Sequence, residues 1–311
     1  MKKIIFISGA TASGKSSFVH SLIDNYFPKA TIISADSMQV YQYMDIGSSK
    51  PSYDERLKYH YEMIDIVEPF INFNVKDYLD CFAKVLNSTK DIPIFVVGGT
   101  GFYIDSIKYG IFDDSSENKD DILKIRNELY RRIDIYGLDS LFYELLEVDE
   151  ECANSIDRYN SRRVVRALEV YYATGRKFSE LKKERKRAID IEYRSYLIDI
   201  DREELYNNIN SRVDIMFDNG LLDEVYRLID MKVNISSTSM QAIGYKECYD
   251  YIVNKSMSYD ELKDLIKKRT RNFAKRQLTW FRRSDEYIKI KPTKEYLDIV
   301  SKDIEVYYNN V

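Results

Sequence analysis

A short apolar run followed by a glycine-rich loop constrains the fold of this chain more than any other feature. Residues 4–7 read Ile-Ile-Phe-Ile, and the segment GATASGKS at 9–16 has the spacing G-x-x-x-x-G-K-S. In such a loop, glycines let successive backbone N–H groups point at one anion, and the lysine adds a positive charge. Residues 16–26 contain no Gly or Pro. We therefore predict a strand, a phosphate-binding loop and a helix, in that order.

The loop predicts a site for a diphosphate or a polyphosphate and leaves the reaction open. Lys15 is the candidate for neutralising phosphate charge, and the Ser16 hydroxyl is the candidate ligand of a Mg²⁺ ion. The predicted phosphate-binding residues are Gly9, Ala10, Thr11, Ala12, Ser13, Gly14, Lys15 and Ser16. The alternative is a glycine-rich turn without a ligand, which accounts for neither the preceding strand nor the following helix.

The first third of the chain alternates between strand-like and helix-like segments. The predicted elements are strands at 31–35, 63–67 and 92–97 and a helix at 75–86. Such alternation is typical of a parallel sheet with helices on both faces, whose ligands bind at the carboxyl ends of the strands. We therefore predict an α/β fold with a P-loop NTPase-like parallel sheet. Asp36 and residues 98–101 should then lie beside the phosphate-binding loop.

The alternation of strand-like and helix-like segments ends at residue 113. The chain then contains a polar stretch at 113–121, helical patterns at 121–147 and 162–172, and strand composition at 196–200. We predict a catalytic core formed by 1–113 and 191–311, with a helical insertion domain at 114–190. The remaining predicted helices are 203–218, 220–231, 241–253, 259–283 and 294–308.

Composition argues against several classes of protein. The three cysteines are far apart and only two histidines occur, which disfavours a disulfide framework, most zinc sites and most histidine acid–base schemes. No apolar run is long enough to cross a membrane, so we predict no membrane association and a cytoplasmic protein.

Basic residues are concentrated in two segments of an otherwise acidic chain. The net charge is −4, yet residues 158–187 contain eleven Lys or Arg against three Glu, and residues 267–283 contain eight Lys or Arg and no acidic residue. We infer a localised surface for a polyanion such as RNA, with solvated helix faces as the alternative. Within 269–282, basic residues alternate with aromatic residues that can stack on unpaired bases. The same helix is expected to bury Phe273, Leu278 and Trp280.

Three further side chains are candidates for chemistry. Asp36 ends a predicted strand, where a carboxylate can bind Mg²⁺, bind a hydroxyl, act as a base or cap the next turn. Thr100 offers a hydroxyl within a glycine cluster, 98–101, that lets the backbone approach a ligand. Arg212 offers a guanidinium fork for a phosphate on a predicted helix. For the cluster and for Arg212, a plain turn and a surface position are the alternatives.

These segments together resemble the tRNA dimethylallyltransferase family, whose members prenylate an adenosine of tRNA. The similar stretches are 9–16, 36–51, 97–103, 162–175, 212–225, 241–247 and 271–282, which stand in the family's order. Ala10 occupies a position where the family usually has proline, and Ser48-Ser49 replaces Thr-Ala. Neither change removes a residue that the chemistry requires.

The resemblance implies transfer of a dimethylallyl group from dimethylallyl diphosphate to N6 of the adenosine immediately 3′ of the anticodon, in tRNAs reading codons that begin with U. Because diphosphate leaves, the phosphate-binding loop would bind the prenyl donor with Mg²⁺ and would hydrolyse no nucleotide. The implied base is Asp36, which would activate N6. The other implied catalytic residues, which would stabilise the leaving diphosphate, are Lys15, Thr100 and Arg212.

The resemblance and the basic segments also imply a surface for the tRNA anticodon stem-loop, held in part by the helical insertion. The predicted tRNA-binding residues are Asp36, Ser37, Met38, Gln39, Thr100, Arg162, Arg163, Val164, Val165, Arg166, Gln241, Gly244, Lys246, Arg271, Lys275, Arg276 and Trp280. A monomer is expected. Two alternatives remain, a small-molecule or nucleoside kinase that uses ATP on the same loop, and a non-catalytic RNA-binding protein.

Overall fold

The computed structural model of the chain describes residues 1–90, 92–112, 119–187, 189–255 and 257–309. The chain forms two compact units, of which the first is Met1–Lys108 with Ile189–Val311 and the second is Tyr109–Ala188. Residues 113–118, which belong to the polar stretch predicted at 113–121, lie outside the described residues.

Within the described residues, a six-stranded parallel sheet forms the centre of the first unit. Its strands are β1 (Lys2–Gly9), β2 (Thr31–Ser34), β3 (Tyr61–Glu62), β4 (Ile94–Gly98), β5 (Ile191–Ile198) and β6 (Ile288–Ile290). Their spatial order is β3-β2-β4-β1-β5-β6, and each adjacent pair is parallel. The carboxyl ends of all these strands therefore lie at one edge of the sheet, and the predicted α/β fold is confirmed.

Helices make up most of the remaining ordered structure. In chain order they are α1 (Lys15–Asn25), α2 (Tyr53–Lys58), α3 (Val75–Ser88), α4 (Gly101–Tyr109), α5 (Lys119–Tyr136), α6 (Leu138–Val148), α7 (Glu150–Ser155), α8 (Ser161–Thr174), α9 (Phe178–Lys183), α10 (Arg202–Asp218), α11 (Leu221–Asp230), α12 (Tyr245–Asn254), α13 (Tyr259–Phe281) and α14 (Lys294–Asn309). No helix among the described residues is long and apolar enough to cross a membrane.

The core of the first unit follows from the apolar strands. Residues 4–7 of β1 have no exposed surface, as expected for a parallel strand covered on both faces. One face packs against α1 and α14 in a cluster that includes Phe18, Leu22, Val300 and Ile304. This packing holds α1, and with it the end of the phosphate-binding loop, in a fixed position relative to the sheet.

Most predicted elements are confirmed to within a few residues, but the strand predicted at 63–67 is wrong. The strand in this region is β3, and it ends before Met63, whose φ is 65°. Asp65 also has a positive φ, of 55°, and such values do not continue a strand. Val67 retains one isolated parallel bridge to Tyr41.

The second unit is helical and contains α5 to α9. Its core includes Leu129, Leu141, Leu145, Val164 and Leu168, which come from three of these helices. The carboxylate of Glu169 is buried on α8 and accepts a hydrogen bond from Nε of Arg126 at 2.5 Å. It also pairs with Arg166, so two arginines of this unit stabilise one buried negative charge.

Candidate active site

The phosphate-binding loop lies between β1 and α1, which confirms the predicted order of strand, loop and helix. Gly14 has a φ of 89°, a conformation that favours glycine, and α1 begins at the next residue. The loop therefore faces the positively polarised N-terminus of α1. The Ser13 hydroxyl is buried and has no hydrogen-bond partner among the described residues. Such a donor within a loop of backbone N–H groups suits a phosphate oxygen.

Lys15 folds back over this loop, and its ammonium group is electrostatically coupled to two distant residues. Its Nζ donates a hydrogen bond to the carbonyl oxygen of Ala10 at 2.6 Å. Burial and the positive charge of Arg212 lower the pKa of Lys15 to about 7, whereas the negative charge of Asp36 opposes this shift. Burial also lowers the pKa of Arg212, and Asp36 again opposes the change. The three charged groups therefore share one site, although they are far apart in the sequence.

Asp36 follows β2 at the same edge of the sheet, and its two carboxylate oxygens have different environments. Oδ1 accepts the N–H of Met38 at 2.8 Å and makes a longer contact of 3.4 Å to the N–H of Gln39. Asp36 therefore caps the next turn, as the alternative proposed. Oδ2 accepts no hydrogen bond from the part of the chain that the structure describes. One oxygen is thus used by the fold, and the other is available to a substrate.

Thr100 connects the ends of β4 and β2. Its Oγ1 accepts the N–H of Ser37 at 3.1 Å, and its own N–H donates to the carbonyl oxygen of Ala35 at 3.3 Å. The hydroxyl of Thr100 therefore lies directly beside the segment that carries Asp36. The prediction that these strand ends converge is confirmed.

Arg212 enters the site from α10, and its Nη1 lies 3.4 Å from the hydroxyl of Thr11 in the phosphate-binding loop. The helix is anchored by Val213 and Phe217, which are buried. Asp214 points elsewhere and binds Lys263 and Lys267 of α13 at 2.9 and 2.8 Å. Arg212 is therefore part of the site and not a surface residue.

Two glycines of the cluster at 98–101 make room for helix α13. A Cβ atom on Gly99 would lie 2.3 Å from Nε2 of Gln277. A Cβ atom on Gly101 would lie 2.3 Å from the Trp280 ring. Because real Cβ contacts are never this short, these glycines allow α13 to pack against the turn. That these glycines also let the backbone approach a ligand stays a prediction.

The buried face of α13 also differs from the predicted one. The buried residues here are Ala274, Gln277 and Phe281, which follow the helical period. The residues predicted to be buried, Phe273, Leu278 and Trp280, are half-buried instead. Trp280 is further tied to the protein, since its Nε1 donates to Asp105 Oδ2 at 2.9 Å. Gln277 packs against Gly99 and the Trp280 ring packs against Gly101, so contacts with the turn decide how deeply each of these residues is buried.

Two of the predicted RNA-contacting side chains are placed where they cannot touch RNA. Val164 and Val165 of α8 are 0% and 2% exposed and lie in the core of the second unit, so the prediction is wrong for their side chains. Helical periodicity explains this result, because apolar residues on an amphipathic helix face the core. Arg162 and Arg163 on the same helix are exposed, and Arg166 is paired with Glu169.

Several other predicted RNA-contacting side chains are held by the protein itself. Gln39 accepts a hydrogen bond from Ser34 at 2.9 Å, and Gln241 Nε2 donates to a backbone carbonyl at 2.7 Å. Arg271 Nη1 donates to Asn210 Oδ1 at 2.6 Å. The remaining members of the set are buried Gly244, half-buried Ser37, Met38 and Lys246, and exposed Lys275 and Arg276. Contacts from these residues to RNA stay predictions.

Glu224 supports the site and was not found by sequence reasoning. Its carboxylate is 1% exposed and accepts the N–H groups of Asp45 and Ile46, each at 2.8 Å, and that of Gly47 at 3.1 Å. The Tyr245 hydroxyl donates to the same carboxylate at 2.6 Å. Glu224 thus holds residues 45–47 of the segment that follows Asp36. A carboxylate on the apolar face of α11 was the signal that sequence analysis could have used.

Replacement of Glu224 by Gln is expected to destabilise the protein by about 3 kcal/mol, because an amide NH₂ would face backbone donors that need an acceptor. Chemical denaturation followed by circular dichroism measures this loss. The control is Asp223→Asn, which removes the same charge from an exposed position of the same helix and should change stability by less than about 0.5 kcal/mol. Equal stability of the two variants would contradict the role assigned to Glu224.

The residues around the loop fit a metal that is held mainly by a phosphorylated ligand. No group of three or more His, Cys, Asp or Glu side chains suited to a metal ion occurs in the described ranges. The side chain of Ser16 is exposed in the first turn of α1. Hydroxyl and phosphate oxygens are the hard ligands that divalent cations such as Mg²⁺ prefer.

The parallel sheet and the loop after β1 define the class of this molecule, an α/β protein with a P-loop NTPase-like fold, whose loop is suited to phosphorylated ligands. The family model for IPP transferases matches residues 39–284. The chain belongs to this family, the tRNA dimethylallyltransferases, as its motifs indicated.

Individual relatives span nearly the whole chain. The tRNA dimethylallyltransferase of Sulfurihydrogenibium sp. (strain YO3AOP1) is 40% identical over 308 residues, covering 96% of this chain and 95% of that protein. The crystal structure of the full-length tRNA isopentenylpyrophosphate transferase from Bacillus halodurans is 31% identical, with a TM-score of 0.69 over 99% of this chain and 98% of that chain. A eukaryotic dimethylallyltransferase acting on tRNA is 25% identical, with a TM-score of 0.78 over 98% of this chain and 78% of that chain.

Membership in this family confirms that the chain is an enzyme of the prenyltransferase class. The two alternatives, an ATP-dependent kinase and a non-catalytic RNA-binding protein, are not favoured.

Proposed function

We propose that this protein transfers the dimethylallyl group of dimethylallyl diphosphate to N6 of the adenosine immediately 3′ of the anticodon, in tRNAs that read codons beginning with U. The observation that carries the proposal is the convergence of three groups: Lys15 and Arg212 contact the phosphate-binding loop, and Asp36 lies at the adjacent strand end. Two cations and a phosphate-binding loop suit a leaving diphosphate, and a carboxylate with one free oxygen suits an attacking amine. The similarity to tRNA dimethylallyltransferases over nearly the full chain supports this assignment.

The acceptor nitrogen needs activation, because the lone pair of adenine N6 is conjugated with the ring. In the proposed step, Oδ2 of Asp36 accepts a proton from N6 while N6 forms a bond to C1 of the dimethylallyl group. The bond between C1 and the diphosphate oxygen breaks, and its electron pair leaves with diphosphate. Thr100 supports the step by holding the segment that carries Asp36.

The leaving group gains negative charge on its bridging oxygen as the bond breaks. That charge would develop in the phosphate-binding loop, which carries the Ser13 hydroxyl and the Lys15 ammonium group and is contacted by Arg212. Donors that are already oriented stabilise such charge without reorganisation, which accounts for factors of about 10² to 10³ per group. A divalent ion, which we propose to be Mg²⁺, would be held by Ser16 and the diphosphate and would neutralise further charge.

The tRNA is proposed to bind through its anticodon stem-loop. Exposed Arg162 and Arg163 on α8, and exposed Lys275 and Arg276 on α13, would contact its phosphates. Turning the target base out of its stack costs roughly a few kcal/mol, and the phosphate contacts would offset this cost. We propose that the enzyme acts as a cytoplasmic monomer.

A label-transfer experiment tests the proposed function. The protein is incubated with undermodified tRNA and either labelled dimethylallyl diphosphate or γ-labelled ATP. Label is expected to enter tRNA from the prenyl donor alone and to appear as N6-isopentenyladenosine in nucleoside analysis. Transfer of label from ATP to a small molecule would support the kinase. Binding of tRNA without any transfer would support a non-catalytic protein.

The affinity for inorganic pyrophosphate is expected to fall as the pH rises above about 7. The charged form of Lys15 binds the anion, and its pKa of about 7 means that this form is lost above that pH in the free protein. The dissociation constant should rise by up to about tenfold per pH unit. Calorimetric titrations between pH 6 and 9 would measure it, with all values at one ionic strength.

The matched control for this pH dependence is Lys15→Arg, because a guanidinium stays charged throughout the range. Its affinity should change with pH only through ionisation of pyrophosphate, which both proteins share. The ratio of the two dissociation constants therefore isolates the lysine. Parallel profiles for both proteins would show that Lys15 does not titrate in this range.

A further inference from the structure

We propose that Gln277 is a positioning residue that sets the phosphate-binding loop against the 98–101 turn at the separation that the transfer reaction needs. This inference rests on the proposed function, in which the loop binds the donor and the neighbouring strand ends bind the acceptor. It assigns to α13 a role in the donor site in addition to any contact with RNA.

Both polar atoms of the Gln277 carboxamide form hydrogen bonds with the backbone. The side chain is 7% exposed, and its Oε1 accepts the N–H of Thr11 at 2.9 Å. Its Nε2 donates to the carbonyl oxygen of Gly99, also at 2.9 Å. One carboxamide therefore joins a backbone group of the loop after β1 to a backbone group of the turn after β4. The Nε2 position lies 2.3 Å from where a Cβ on Gly99 would be, so the fit leaves no space.

The two residues that Gln277 joins stand on opposite sides of the proposed reaction. The Thr11 hydroxyl lies 3.4 Å from Arg212 Nη1, on the side of the leaving diphosphate. Gly99 precedes Thr100, whose Oγ1 accepts the N–H of Ser37 next to Asp36, on the side of the acceptor. The donor side and the acceptor side are therefore linked through a single side chain.

A reaction between two bound substrates depends on the distance between their reacting atoms. A misplacement of about 1 Å can cost about a hundredfold in rate, even when each substrate still binds. Loss of the Gln277 bridge should therefore lower the transfer rate more than it lowers the affinity for either substrate. A residue that only stabilised the fold would instead lower the amount of active protein and leave the rate per active site unchanged.

The packing of α13 does not depend on Gln277 alone, which makes the two roles separable. Phe281, one turn further along the helix, is 1% exposed and packs edge-on against Tyr287 with ring centroids 5.5 Å apart. Ala274, one turn earlier, is buried against Ala10 and Ile209. A substitution at Phe281 can therefore destabilise the same helix without touching either hydrogen bond.

The test compares three variants of the full chain. Gln277→Met keeps the approximate shape of the side chain and removes both hydrogen bonds. Gln277→Glu keeps the acceptor for the Thr11 N–H and removes the donor to the Gly99 carbonyl. Phe281→Leu is the control for packing of α13. For each, single-turnover transfer is measured at saturating dimethylallyl diphosphate and tRNA, with the dissociation constant for inorganic pyrophosphate and the melting temperature.

Gln277→Met is expected to lower the single-turnover rate by about ten- to a hundredfold, with the pyrophosphate dissociation constant within about threefold of wild type. Gln277→Glu should lose at least as much rate as Gln277→Met, because its buried carboxylate would face the Gly99 carbonyl oxygen. Phe281→Leu should lower the melting temperature at least as much and leave the rate per active site within about twofold. A wild-type rate in Gln277→Met overturns the proposal, and so does an equal loss of rate in Phe281→Leu.

A double-mutant cycle tests the same contact from the other side. Gly99→Ala should slow transfer about tenfold in the wild-type background, because its methyl group displaces Nε2. In the Gln277→Ala background, the 2.3 Å clash is gone and the nearest remaining contact is the Gly9 carbonyl oxygen at 3.1 Å, so the methyl group should cost less than about threefold. Independent, multiplicative losses would contradict the bridge. If wild type fails to prenylate tRNA, the proposed function fails; if it succeeds while these variants are normal, only this inference fails.

Discussion

The Asp36→Asn enzyme is expected to bind tRNA normally and to transfer the dimethylallyl group about 10³-fold more slowly at saturating substrates, the range expected for loss of a general base. Asn keeps the Oδ1 acceptor that holds the Met38 N–H at 2.8 Å, so the turn after β2 should persist. It replaces Oδ2, the oxygen proposed to accept the N6 proton, with an amide nitrogen that cannot accept one. Single-turnover transfer at saturating substrates measures the effect.

Asp36→Ala is the informative companion to Asp36→Asn. Alanine removes both the base and the cap of the turn, so it should also lower the melting temperature, whereas Asn should leave it close to wild type. If the two variants lose the same rate, the loss comes from the base. Near-normal turnover of Asp36→Asn would remove Asp36 from its proposed role. A rate loss confined to Asp36→Ala would assign Asp36 to the turn alone.

Arg212→Gln is expected to reduce the transfer rate by about 10² to 10³-fold, since the guanidinium lies beside the loop that would hold the leaving diphosphate. Arg212→Lys should recover part of the loss, because it restores the charge but not the planar fork. The pyrophosphate affinity should fall as well, since the ground state already carries several negative charges. Quench-flow measurement of transfer and titration with pyrophosphate separate the two effects.

Arg212→Gln is also expected to change the pKa of Lys15. The positive charge of Arg212 helps to lower the pKa of Lys15 to about 7, so its removal should raise that pKa. The pH above which pyrophosphate affinity falls should therefore move upward in Arg212→Gln. Arg202→Gln is the control, because Arg202 is exposed on the same helix α10. An unchanged pH profile in Arg212→Gln would mean that the two cations do not interact.

Local features of the fold were predictable because they depend on residue types at fixed spacing. The segment from 4 to 26 specifies a strand, a phosphate-binding loop and a helix through its apolar run, its glycines and its lysine. The position of Asp36 and Thr100 after strands placed them at one edge of the sheet. The strand predicted at 63–67 failed because periodicity does not report positive φ values such as that of Met63.

Contacts between residues far apart in the sequence decided which side chains are buried and which backbone groups they hold. The sequence shows that α13 is amphipathic and basic. Contact with the turn at 98–101 adds the polar residue Gln277 to the buried residues of this helix. Likewise, the sequence places Glu224 on the apolar face of α11, but only the folded chain shows that it accepts the N–H groups of Asp45, Ile46 and Gly47.

The sequence by itself therefore determined the class of fold, the family and the residues that could do chemistry. Those properties are encoded in short motifs whose spacing does not depend on the remainder of the chain. The tertiary structure decided which oxygen of Asp36 is free, why Gly99 and Gly101 are glycines, and which side chains join the two halves of the site. These are contacts between residues far apart in the sequence, and they exist because buried donors and acceptors must find partners when the sheet and its helices close on one another.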